Sequence, residues 1–125
     1  VRPTEKQKEI LKRIWPGKVS VIFHAPKARF KYLHRGTKML AFRLPKSRAF
    51  RALLKKTGPL VVPSANPEGL APAQTIREAR NYFGERVDEY LSAGRRLSSK
   101  PSTIVSLVGE EARVIRQGDT PFHPK

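Results

Sequence analysis

The sequence predicts a single α/β (α+β) domain, with helices flanking a mixed, twisted β-sheet. Three observations carry this expectation. Short apolar runs at residues 19–23, 60–62 and 103–107 alternate with amphipathic stretches of helical spacing, the pattern of strands interleaved with helices. The helical stretches open on a hydroxyl residue and close at Gly or Pro, the usual start and stop signals. Polar residues (Arg43, Ser64, Ser102 and Arg116) end or interrupt the apolar runs, which predicts one concave basic face carrying all four. Residues 1–118 are assigned to the domain and 119–125 to a C-terminal tail.

The elements follow in order. Thr4-Glu5-Lys6-Gln7 reads as a capping box, with Ile10, Leu11 and Ile14 at helical spacing behind it and Pro16-Gly17 as the stop. Val19, Val21 and Phe23 alternate with Ser20, Ile22 and His24, predicting a strand buried largely on both faces. Basic residues 27–38 predict a loop or hairpin around Gly36, and residues 39–44 a second strand. Ser47 caps a helix whose Phe50, Leu53 and Leu54 are expected to face inward, stopped by Gly58-Pro59. Residues 60–62 form a short buried strand ending at Pro63. Thr75-Ile76-Arg77-Glu78 is a second capping box, leading a helix with Ile76, Ala79, Tyr82 and Phe83 as its apolar face. Residues 87–91, 103–107 and 112–115 are predicted strands, with Gly109 turning the last pair. The proline-containing tail is expected to lie over the surface.

The chain has 125 residues, enough to bury roughly two thirds of its unfolded surface. Twenty-six Lys and Arg against ten Asp and Glu give a net charge of +16. That excess points to nucleic acid, nucleotides or other anionic ligands, although a merely solvated basic surface has the same composition. There is no cysteine, which excludes disulfides and thiolate metal sites. His24, His34 and His123 lack ligand spacing and read as surface or packed residues. No apolar run reaches membrane-spanning length, so a cytoplasmic protein without a membrane partner is expected.

The segment Pro59-Leu60-Val61-Val62-Pro63-Ser64-Ala65-Asn66-Pro67-Glu68-Gly69 places a hydroxyl and an amide just past an apolar run. Open α/β sheets bind ligands at such strand ends, although the same pattern also describes a polar loop that only closes a strand. Four further motifs accompany it: Trp15-Pro16-Gly17-Lys18-Val19-Ser20, Ala41-Phe42-Arg43-Leu44-Pro45, Pro101-Ser102-Thr103-Ile104-Val105 and Arg116-Gln117-Gly118. In order and spacing the five resemble the YrdC-type L-threonylcarbamoyladenylate synthases, whose usual forms are W-P-G-P-x-T, V-A-V-R-x-P, S-A-N-x-S-G, S-T-V-V-D and R-x-G. The resemblance runs from Trp15 to Gly118.

What the resemblance implies can be stated residue by residue. Arg43 would clamp the carboxylate of L-threonine, with a backbone contact from Val62 and a hydroxyl from Ser102. A structural ion pair, with Glu68 for example, is the alternative for Arg43. Ser64 and Asn66 would meet ATP, Met39 and Pro72 would give backbone or small side-chain contacts to the nucleotide, and Arg116 would lie near the phosphates. Trp15 and Pro16 read as packing residues. Ser20 stands for the usual threonine, Pro67-Glu68 replaces the usual residues of S-A-N-x-S-G, and Ser106 replaces the aspartate of S-T-V-V-D. The family's front motifs P-T-E-T-x-Y-G-L and K-x-R are not found, so an N-terminally incomplete domain, impaired when alone, is expected.

The implied reaction condenses L-threonine, bicarbonate and ATP, accompanied by Mg2+, to threonylcarbamoyl-AMP and pyrophosphate. The product serves threonylcarbamoyladenosine modification of tRNA through the threonylcarbamoyl-transfer machinery. The alternative is a non-catalytic module of the same fold that binds tRNA or double-stranded RNA through its charge. A carbamoyltransferase subdomain is a third reading, disfavoured because no zinc-finger or acylphosphatase-like sequence is present.

Overall fold

Alternation decides which residues of the first strand meet the core. In the computed structural model, which describes residues 1–92, 100–109 and 111–124, β1 (Val19–His24) buries Val19, Val21 and Phe23 and leaves Ser20 and Ile22 half-buried on the other face. The strand therefore has one sealed face and one open face, not two sealed ones. β2 (Met39–Phe42) pairs with it antiparallel and β3 (Thr103–Ser106) parallel, and β4 (Arg113–Arg116) closes the far side antiparallel to β3. The order is β2-β1-β3-β4, a mixed sheet as the sequence predicts. Between β3 and β4 a bulge lets Arg116 lie opposite Ile104 while Val114 lies opposite Val105.

Helix α1 (Glu5–Ile14) covers the sealed face. Its capping box forms as expected, with Thr4 Oγ1 accepting from Gln7 N and Gln7 Oε1 accepting from Thr4 N. Ile10, Leu11, Ile14 and Trp15 pack against a core of Val19, Val21, Phe23, Val105, Leu107 and Phe122. Each fully buried apolar side chain of this size contributes about 1.5–3 kcal/mol. The indole Nε1 of Trp15 donates to Val19 O at 2.7 Å, and Gln7 Nε2 to Leu107 O at 2.8 Å, so polar groups along the seam are satisfied. The tail does not merely lie over the surface: Phe122 is part of this core.

The β1–β2 connection holds a 3₁₀ turn (Ala28–Phe30) and α2 (Lys31–His34), followed by a turn at Gly36. Helix α3 (Arg48–Thr57) is capped by Ser47. Its Phe50 and Leu53 are exposed rather than inward-facing.

The chain divides into two compact units, Val1–Gly58 with Lys100–Lys125, and Pro59–Ser99. The second unit contains α4 (Ile76–Phe83) and no strand among its described residues. Thr75 caps α4 through Glu78 N, but the Glu78 carboxylate accepts from Gln74 N at 2.7 Å rather than from the cap residue. Two strand expectations fail here. Residues 60–62 join no ladder among the described residues and are bounded by prolines that offer no N–H to one. Residues 87–91 instead fold back on α4, where the Tyr90 hydroxyl donates to Gly84 O at 2.7 Å and the Arg80 guanidinium lies 4.7 Å from the Tyr90 ring centre.

Candidate functional site at one end of the sheet

Of the four polar residues expected on one face, Arg43, Ser102 and Arg116 lie at one end of the sheet together with Ser20, because the strands bring their ends together, while Ser64 belongs to the second unit. The start of β1, the end of β2, the start of β3 and the end of β4 share one end of the sheet. Ser20 sits there on the open face of β1. One step beyond the Val21–Phe42 pair, Arg43 follows Phe42 at the same end of the sheet. Arg43 is not mid-strand as expected: it lies one residue past β2 and is exposed, so its charge keeps water and needs no buried counterion. No ion pair engages it among the described residues.

Ser102, immediately before β3, is the best-defined point of this end. Its hydroxyl lies 3.0 Å from the Ser20 hydroxyl. A guanidinium nitrogen of Arg116 donates to Ser102 O at 3.0 Å. Gly118 presses on the same backbone, because a Cβ there would come 2.2 Å from Pro101 O and 2.5 Å from the Ser102 carbonyl carbon. No larger residue fits without moving Ser102. Gly118 N donates to Thr103 Oγ1 at 2.8 Å and Asp119 N to Pro101 O at 2.9 Å. The Lys18 ammonium lies 2.8 Å from Asp119; its hydrogen bond and charge hold that carboxyl below its ordinary value. Ser102 is thus gripped from β1 and from residues 116–119.

Sequence reasoning named Ser102 and Arg116, and the structure brings them together. It placed Arg116 near phosphates, whereas one of its donors is committed to Ser102 O; the side chain remains exposed, with donors to spare. It treated Ser20 only as a substituted motif residue and assigned nothing to Gly118. The R-x-G spacing, with its glycine two residues past the arginine, was the available signal. Met39 lies at the other end of β2, on the same open face.

The remaining expected contacts lie in the second unit. Ser64 and Pro72 are exposed, and Val62 is 79% exposed. Asn66 works as a local staple: Nδ2 donates to Pro67 O at 3.0 Å and to Leu70 O at 2.8 Å. Those bonds hold a turn in which Leu70 N reaches Pro67 O and Gly69 has φ 84°. Asn66 Oδ1 is buried without a partner. Two surface hollows, one lined by Arg80, Gly84 and Tyr90 and the other by Thr4, Gln7, Ile10 and Leu107, contain none of these residues. Among the described residues no helix is long and apolar enough to cross a membrane.

Known proteins resemble this chain in sequence and in fold. A Mycobacterium tuberculosis protein, named provisionally as a threonylcarbamoyl-AMP synthase, is 37% identical over 113 residues, covering 89% of this chain and 51% of its own. The threonylcarbamoyl-AMP synthase of Marinobacter nauticus is 36% identical over 114 residues, covering 89% of this chain and 60% of its own. The chain therefore spans about half the length of the curated relatives it matches. The H234A/Y235A form of P. abyssi Sua5 matches the fold with a TM-score of 0.78 at 22% identity, over 95% of this chain and 37% of that one. P. abyssi Sua5 complexed with L-threonine matches with a TM-score of 0.77 at 22% identity, over 97% and 36%. A family model for Sua5, YciO and YrdC, described as telomere recombination, matches residues 2–118, nearly the whole chain. With that span matched, the chain belongs to the Sua5/YciO/YrdC family.

Proposed function

We propose that this chain carries part of an L-threonylcarbamoyladenylate synthase, with the end of the sheet around Ser102 as its threonine half-site. The observation that supports this most is the row formed by Arg43, Ser20, Ser102 and Arg116 on one open sheet end. A zwitterionic amino acid needs a cation for its carboxylate and hydrogen-bonding groups for its polar atoms. Arginine binds a carboxylate bidentately, and Arg43 is exposed with no ion-pair partner among the described residues. In the reaction the threonine amine attacks bicarbonate carbon with loss of water, giving a carbamate. A carbamate oxygen then attacks the α-phosphorus of ATP, and the bond to the β-phosphate breaks, releasing pyrophosphate. The chain's task is positioning and charge neutralisation rather than nucleophilic catalysis. Ser64, Asn66, Met39, Pro72 and Arg116 are the proposed ATP contacts; the Asn66 amide nitrogen is committed to Pro67 O and Leu70 O and its Oδ1 is buried, so its contact requires the turn to shift. Mg2+ would accompany the ATP, held by the oxygens of the triphosphate. The adenylate would pass to the tRNA threonylcarbamoyl-transfer machinery of the cytoplasm.

Calorimetric titration of L-threonine tests the reading. Arg43→Ala should weaken binding by about 1.5–3 kcal/mol, the scale of a charge-assisted hydrogen bond. Unchanged affinity in Arg43→Ala would remove the half-site. The second reading, an RNA-binding module without chemistry, rests on the net charge of +16. Pyrophosphate released only when L-threonine, bicarbonate and ATP are all present would belong to the synthase alone.

A further inference from the structure

One hydroxyl is buried among the valines of the sheet. Thr103 pairs with Val19 in the β1–β3 ladder and is sealed as fully as Val21 and Val105. Valine would fill the same space with no polar atom to satisfy, whereas a buried hydroxyl costs free energy unless it is hydrogen-bonded. The Thr103 hydroxyl is satisfied twice, and both partners come from the chain after β4. It accepts from Gly118 N at 2.8 Å and donates to Thr120 O. The same segment holds the residue on the other side of Ser102, since Asp119 N donates to Pro101 O at 2.9 Å. Ser102 therefore stands between two residues that the tail grips, with its own hydroxyl 3.0 Å from that of Ser20.

The tail that makes these bonds is itself anchored. Phe122 is buried in the core cluster with Val19, Val21 and Val105. The Gln117 side chain closes the loop between β4 and that anchor: Nε2 donates to Phe122 O at 2.8 Å, and Oε1 accepts from Phe122 N at 3.3 Å. Residues 117–122 thus form a closed loop, continuous with β4 at one end and fixed in the core at the other. The family model matches residues 2–118, so Asp119, Thr120 and Phe122 lie beyond the stretch that the chain shares with it. A tail that only filled the core would need Phe122 alone. Here Gly118, Asp119 and Thr120 each direct a backbone group at a residue flanking Ser102.

We infer that residues 117–122 are a latch that positions the Ser102 hydroxyl for L-threonine, with the Thr103 hydroxyl as its catch. The inference rests on the threonine half-site proposed above and adds to it residues that touch no ligand. Ser102 precedes β3, one residue before the Val19–Thr103 pair, so the ladder does not hold it. Arg116 bonds its carbonyl oxygen and Ser20 its hydroxyl, but neither fixes the chain on both sides of it. The latch does. A hydroxyl on a loosely held segment must be ordered each time a ligand binds, and that cost is subtracted from the affinity. A segment already held in place avoids it. Thr103 and Gln117 are accordingly positioning residues, acting through Ser102 and not on the ligand.

The test is calorimetric titration of L-threonine into the whole chain, paired with amide hydrogen exchange in its absence. Thr103→Val keeps the side-chain shape and removes both hydroxyl bonds. It should weaken threonine binding about fivefold, the scale of one neutral hydrogen bond, and Thr103→Ser should restore it. Exchange at the Asp119 amide should rise at least about tenfold in Thr103→Val, as a local opening would give. Leu107→Ala, a core change past the other end of β3, should lower the melting temperature and leave threonine affinity unchanged. In a Ser102→Ala background, Thr103→Val should have no further effect on affinity. If Thr103→Val does not fold, Gln117→Ala, at an exposed position, carries the test with a loss of about twofold. Wild-type affinity in the folded variant, equal weakening by Leu107→Ala, or a further loss in the Ser102→Ala background would overturn the latch and leave the half-site standing. No threonine binding by the unaltered chain would instead remove the half-site itself, and the positioning role with it.

Discussion

Two valine-bearing segments of this chain meet opposite fates. In the parallel pair β1–β3, Val19, Val21 and Val105 are at most 1% exposed, sealed by α1 on one face and by each other's ladders at the sides. Val61 and Val62 are 69% and 79% exposed, with no strand beside them among the described residues. Side-chain chemistry is the same in both. What differs is that β1 has partners on both edges, while residues 60–62 lie between two prolines that cannot donate to a ladder. A valine is buried when its backbone is paired and a helix covers its face; hydrophobicity alone does not bury it.

The sharpest way to break this contrast is at glycine. Gly118→Ala should destabilise the first unit by about 3 kcal/mol, because its Cβ would overlap backbone atoms around Ser102. Gly69→Ala, in open space but at φ 84°, should cost about 1 kcal/mol. Urea unfolding of the two variants ranks them, and equal costs would deny that the Ser102 backbone is the tighter of the two. Next comes the core. Val21→Ala should cost about 2 kcal/mol, whereas Val62→Ala should stay within about 0.5 kcal/mol. A large loss at Val62 would mean that residues 60–62 are paired after all.

A smaller effect concerns how Ser102 is aimed. Ser20→Ala removes the hydroxyl 3.0 Å from that of Ser102 and should weaken L-threonine binding by about 1 kcal/mol, with Ser20→Thr restoring it. In a Ser102→Ala background the Ser20 change should have no further effect; calorimetry on the four variants reads the coupling. Smallest is the surface pair Lys18–Asp119. The Asp119 carboxyl is held below its ordinary value of 3.8, first by the Lys18 hydrogen bond and then by the charge of Lys18. Its stabilisation is therefore present above pH 3.8 and fades as pH falls through the lowered native value. Melting temperatures of wild type and Asp119→Asn should differ slightly at neutral pH and converge in acid, and a gap that widens in acid would reverse the sign.

Much of the first unit is legible in the sequence because local signals agree there. The Thr4 capping box, the Ser47 cap and the alternation of residues 19–24 each specify their element without help from distant chain. The mixed sheet follows from them. What escapes is whatever depends on a partner. The open face of β1 depends on which strands flank it, and the burial of Phe122 on a groove that only the folded sheet creates. Residues 60–62 carry a strand's composition but not its ladder, and residues 87–91 are diverted by Tyr90 and Arg80. At the candidate site, Arg43, Ser102 and Arg116 are legible as motif residues. Gly118 and Ser20 also stand in the motifs, but their hold on Ser102 does not show there, because it is a distance of approach, which no residue type announces.

The claim that matters most is that ligand recognition sits at the ordered sheet end. The direct measurement is a titration of L-threonine followed by amide chemical shifts of the isotope-labelled chain. The account predicts that the largest saturable shifts fall on Ser20, Arg43 and Ser102 and vanish in Arg43→Ala. Shifts confined to other residues, or none at millimolar threonine while the fold is intact, would contradict it.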